Sequence, residues 1–201
     1  MFIRTENFRQ YIKFYPVVST LIALNIIAYI ITSLPFIGNM VLYLGMSVNW
    51  LIAEGEWWRV ITSTFLHGGF FHILFNMFSL FLFGPELERI AGKLRFITIY
   101  LFSGIFGNVA TFIIESPDYA SVGASGSIYG IFGAYAALAY YTKNTIPQLN
   151  QIIMPIIVIG LIMTFLQPGI NISAHIGGLI TGFLFGLAYF SPKNILRWRR
   201  K

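Results

Sequence analysis

The stretch Val122-Gly123-Ala124-Ser125-Gly126-Ser127-Ile128-Tyr129-Gly130 sets a serine between glycines at the start of a long apolar run. We read Ser125 as a nucleophile. Three more polar side chains, His72, Asn76 and His175, lie inside other apolar runs, where each is costly unless it has a partner or a task. One shared site satisfies all four most simply. A hydroxyl is a weak nucleophile until a base takes its proton, and an imidazole such as His175 can take it during attack and return it to the leaving group. Asn76, His72 and the backbone N–H of Ser125 would then supply donors to the oxyanion that develops on the attacked carbonyl. The spacing His72-x-x-x-Asn76 puts those two side chains on one helix face, one turn apart.

Composition says what must position these groups. The 201 residues are 57% hydrophobic and 10% charged, with a mean hydropathy of +0.74, whereas soluble chains carry roughly 25% charged residues. Charge is nearly excluded from six stretches, 17–34, 70–87, 96–114, 125–141, 152–166 and 174–190, which together hold one charged residue, Glu86. Each is a candidate to span a bilayer, which takes roughly 20 residues. The fold class expected is therefore an all-α membrane protein, a single polytopic bundle of six transmembrane helices. Several stretches are nearer 15 to 18 residues, which implies modest bilayer thinning or helices begun inside the membrane. The second stretch is expected to end near Gly84-Pro85. Around the six-helix domain, 16–191, residues 1–15 read as a cytoplasmic interfacial arm and 192–201 as a basic cytoplasmic tail. The connection 36–59, with Trp50, Trp57 and Trp58, is longer than compact domains tolerate unless it is functional or lies in the interface.

Six spans put both termini on one side. Of the 13 Lys and Arg, only Arg59 then falls on the other side, so the positive-inside rule places the termini in the cytoplasm. His72, Ser125 and His175 come to similar depth at the outer ends of the second, fourth and sixth segments. The sixth reads Ala174-x-x-x-Gly178-x-x-x-Gly182-x-x-x-Gly186 and the fourth has Gly126-x-x-x-Gly130 followed by Gly133. Small residues at that spacing let two backbones approach closely, so Ser125 and His175 can meet and hydrogen-bond across the crossing. No carboxylate lies in the spans at this depth. The expectation is a Ser–His dyad in place of a triad.

Taken together, these residues resemble a rhomboid intramembrane serine protease of the minimal six-helix bacterial type. The marks are Trp57-Trp58-Arg59, His72-x-x-x-Asn76, Glu86-Leu87-Glu88-Arg89, Gly123-x-Ser125-Gly126 with Tyr129, and Ala174-His175-x-x-Gly178. The resemblance covers about 57–190. It implies Ser125 as nucleophile, His175 as general base, Asn76 and His72 as oxyanion donors, and Tyr129 as a ring packed against His175, with Gly123 and Gly126 in support. Arg59 and Glu88 resemble structural positions that stabilise the long first connection and the second helix. It also implies small residues in the substrate just before the scissile bond.

Singly, each motif has a plainer reading. A Gly-x-Ser-Gly in a membrane helix is usually packing, and a His-x-x-x-Asn pair can be interhelical glue. His67, in Leu66-His67-Gly68-Gly69, reads as structural, holding loop backbone through a ring hydrogen bond. With three His and no Cys, a zinc peptidase lacks its ligands, so neither metal nor cofactor is expected. The expected partners are single-pass membrane protein substrates and membrane lipid, with no nucleic acid. Substrates should be extended at the cut and rich in Gly, Pro or Ser near their outer boundary, because a helix buries its own carbonyls. The expected location is a bacterial plasma membrane, with the site facing the extracytoplasmic side. A lid could form from the connection before Ser125 or from Gln167-Pro168-Gly169. The rival function is a non-catalytic rhomboid-like membrane binding or chaperone protein, against which both Ser125 and His175 count. A channel lined by the same residues is weaker, because the cytoplasmic halves of the spans are apolar.

Overall fold

In a computed structural model that describes residues 4–191 and residue 194, six long helices carry the chain back and forth. They are α2 (Pro16–Thr32), α6 (Phe70–Ala91), α7 (Lys93–Ile114), α8 (Ser125–Thr142), α9 (Pro147–Leu166) and α10 (Ile172–Phe190). A short amphipathic α1 (Phe8–Phe14) precedes them, and α3 (Gly38–Gly45), α4 (Asn49–Ala53) and α5 (Arg59–Thr62) fold the long first connection. The basic tail lies outside the described residues apart from Asn194. Four helices, α6, α7, α9 and α10, are long and apolar enough to cross a membrane by themselves, and α2 qualifies when joined to α1, from which it is bent by 110°. α8 is less apolar because it is rich in Gly, Ser, Ala and Tyr. It is also the central helix, buried throughout from Gly126 to Tyr135, so neighbouring helices rather than lipid meet most of its surface.

Five of the six helices are longer than the apolar runs that mark them, at 18 to 22 residues, while α2 has 17. α6 shows one reason: it does not end near Gly84-Pro85 but runs through Pro85 to Ala91. Proline lacks an N–H, which orphans the carbonyl four residues earlier. That carbonyl, of Phe81, instead accepts a hydrogen bond from the Tyr11 hydroxyl at 3.1 Å. The interfacial arm thus repairs a defect in a helix about seventy positions away, and Arg4 adds an ion pair to Glu86 at 2.9 Å.

The first connection is pinned. Arg59 is 1% exposed and donates to the Glu56 carboxylate at 2.6 Å, the Tyr43 carbonyl at 2.6 Å and the Met46 carbonyl at 2.8 Å. Glu88 accepts from the N–H groups of Val17 at 3.1 Å and Val18 at 2.9 Å, capping the exposed donors at the start of α2 with a carboxylate. It therefore joins α2 to α6. A two-residue pairing unsuspected from the sequence links β1 (Ser47–Val48) antiparallel to β2 (Ala120–Ser121). The Asn49 amide adds bonds to the carbonyls of Thr111, Glu115 and Ser116. The loop before Ser125 is thus tied to the first connection, which is unsuited to a freely opening lid.

Candidate active site

Ser125 is the first residue of α8. Its N–H is therefore among the helix-start donors with no intrahelical acceptor, at the positive end of the helix dipole. The approach to it is shaped by Gly123, whose φ of 139° falls in the region that favours glycine. A Cβ there would come within 2.8 Å of the His72 ring and 3.6 Å of Ser125 Oγ. Glycine is thus required twice, for its backbone angle and for the space that His72 and Ser125 occupy.

α10 brings His175 to the same place. A Cβ added to Gly178 would strike the Gly126 carbonyl, one at Gly182 the Gly130 carbonyl, and one at Gly133 the Leu179 carbonyl. The backbones of α8 and α10 therefore touch without intervening side chains, which is the close crossing expected from the glycine spacing. Both Ser125 and His175 line a cavity of about 810 Å³. No direct hydrogen bond joins them among the described residues. Hydrogen bonds of this kind are commonly long before substrate binds.

His72 and Asn76 line the same cavity from α6. The Asn76 Nδ2 is buried without a hydrogen-bond partner among the described residues. Phe71, Phe75 and Phe83 from α6 and Ile156, Ile159 and Met163 from α9 form the apolar walls, and residues 167–171 also line it.

The ring of Tyr129 stacks on that of His175, with centroids 4.1 Å apart and planes 17° from parallel. Its hydroxyl donates to the Gly160 carbonyl on α9 at 2.6 Å. A residue that the sequence reading did not single out completes this corner: Thr164 Oγ1 lies 2.9 Å from His175 Nδ1. A lone hydroxyl in an apolar run is a weak signal, because threonine in a helix commonly bonds the carbonyl four residues back, and Thr164 does so with Gly160 at 2.9 Å.

His67 is buried beside the site. It is 2% exposed, with its ring against the Phe65 backbone. Its ring packs edge-on to His72 at 5.1 Å. Burial pushes its imidazole down to about 3, so it stands as a neutral packing ring. Among the described residues no group of three or more His, Cys, Asp or Glu is placed to hold a metal ion.

A polytopic all-α membrane protein with a polar site at the starts of three helices is the class that this geometry defines. The rhomboid domain family matches residues 54–192. YdcA of Bacillus subtilis, whose name assigns it provisionally to the rhomboid proteases, is 44% identical over 96% of this chain and 98% of its own length. The rhomboid protease GluP of the same organism is 44% identical over 74% of this chain and 29% of its own length. Rhomboid-like protease 1 of Toxoplasma gondii is 32% identical over 81% of the chain and 58% of its own length. The chain belongs to the rhomboid family and is an intramembrane serine endopeptidase of that class, a multi-pass integral membrane protein.

Proposed function

We propose that this protease cleaves single-pass membrane proteins near the extracytoplasmic surface with Ser125 as nucleophile and His175 as general base. Asn76 Nδ2, His72 and the Ser125 N–H serve as donors to the oxyanion. The observation that carries this reading is the cavity shared by Ser125, His175, His72 and Asn76, in which a buried amide donor stands without a partner. Its volume of about 810 Å³ is in the range of pockets that enclose a ligand. Its apolar walls suit the side chains of a peptide that has left its helix. Attack joins Ser125 Oγ to the scissile carbon while the hydroxyl proton passes to His175. Collapse of the tetrahedral species breaks the C–N bond, and the same proton leaves with the amine. Water then repeats the sequence on the acyl-enzyme. The cationic arm that docks on the C-terminal half of α6, at the opposite end from Ser125, supports cytoplasmic termini and an extracytoplasmic site.

The test is cleavage of a model transmembrane segment with Gly and Pro near its outer end, by purified protein in lipid vesicles. Ser125→Ala and His175→Ala should each abolish cleavage and leave the protein folded, and a fluorophosphonate probe should label wild type but not Ser125→Ala. Continued cleavage by pure Ser125→Ala sinks the assignment.

A further inference from the structure

Four close contacts meet at one buried corner between α8, α9 and α10. Thr164 Oγ1 lies 2.9 Å from His175 Nδ1, 2.6 Å from the Tyr129 hydroxyl and 2.9 Å from the Gly160 carbonyl, and the Tyr129 hydroxyl lies 2.6 Å from that carbonyl. Thr164 is 1% exposed, so these contacts are made inside the protein. The carbonyl can only accept, and each hydroxyl brings one proton. If His175 carries its proton on Nε2, two protons serve the four contacts. If the proton is on Nδ1, three serve them, and the Thr164 oxygen accepts the Nδ1–H while its own proton goes to Gly160 or Tyr129. In a low-dielectric interior, close polar contacts without a proton between them are costly, so the network favours the second arrangement.

We propose that Thr164 is the positioning residue for His175: its oxygen accepts the Nδ1–H, fixing the tautomer whose Nε2 lone pair is free for Ser125. This rests on reading Ser125 and His175 as the dyad. During attack Nε2 takes the Ser125 proton, and the imidazolium keeps its Nδ1–H on Thr164. During collapse Nε2 gives that proton to the leaving amine. Thr164 itself exchanges no proton and carries no charge, so it orients the ring as a carboxylate does in a triad, without the carboxylate's stabilisation of the imidazolium. The bond also runs from α9 to α10, two helices that otherwise pack little against each other.

Two substitutions separate this role from packing. Thr164→Val keeps the branched shape and removes the oxygen, whereas Thr164→Ser keeps the oxygen and removes a methyl group. In vesicles with the model segment, Thr164→Val should lower kcat about 5- to 20-fold, the worth of one buried hydrogen bond, with KM within about twofold of wild type. Fluorophosphonate labelling, which needs no transmembrane substrate, should slow by a similar factor. Thr164→Ser should stay within about threefold of wild type on both measures. A Thr164→Val variant with wild-type kcat, a deficit confined to KM, or Thr164→Ser impaired as much as Thr164→Val overturns the proposal.

The tautomer can also be read without any change at Thr164. With three histidines in the chain, ¹⁵N spectra of histidine-labelled wild type are assignable, and His175 should show a protonated Nδ1 and a bare Nε2. The reverse pattern overturns the proposal even if Thr164→Val does not fold. Cleavage by Ser125→Ala in the same series would instead overturn the dyad, so the two failures are distinct.

Discussion

Adding one methyl group at Gly178 should disable the enzyme by moving α10 off α8. The Cβ of Gly178→Ala would lie 2.8 Å from the Gly126 carbonyl carbon and 3.1 Å from its Cα, against 3.4 Å for an ordinary contact. Relieving the carbon alone opens the crossing by about 0.6 Å, taken from those two separations, and the Gly126 carbonyl oxygen demands more. The obstacle is backbone, so no side chain can rotate away. Overpacking of this kind costs about 1 to 3 kcal/mol of stability. The larger effect should be on rate. His175 sits three residues before Gly178 and moves with it, and a displacement near 1 Å at a reacting group costs roughly 100-fold. Thermal melting and kcat for the model segment, compared with Gly69→Ala, provide the assay, because a Cβ at Gly69 would meet nothing within 4 Å. Gly178→Ala with kcat within threefold of wild type would show that the crossing does not set the Ser125–His175 geometry.

Two other substitutions test how the scaffold is held. Arg59→Met removes the donors to two carbonyls and a carboxylate in a buried setting and should cost about 3 kcal/mol, seen as a lowered melting temperature. Arg59→Lys should rescue little, since one ammonium cannot reproduce the guanidinium fork. Glu88→Ala, which uncaps the Val17 and Val18 N–H groups, should cost about 1 to 2 kcal/mol, and Glu88→Gln less, because the amide keeps one acceptor oxygen. Equal melting of the two Glu88 variants would refute the capping role.

The sequence by itself determined the number of long helices, the places of Ser125, His72 and His175 near the starts of three of them, and the contact between α8 and α10. These follow from one-dimensional signals: hydropathy sets where a chain can enter lipid, and glycine spacing sets which helix faces can touch. Pro85 marks where such signals stop. A proline ends a helix unless something distant accepts the task that Tyr11 performs for the Phe81 carbonyl. The same limit hid the β1–β2 pairing and Thr164. Tertiary structure alone decided that a threonine from α9 lies 2.9 Å from His175 Nδ1. That contact depends on the rotation and tilt of helices packed from separate parts of the chain, and no local pattern of residue types encodes a rotation.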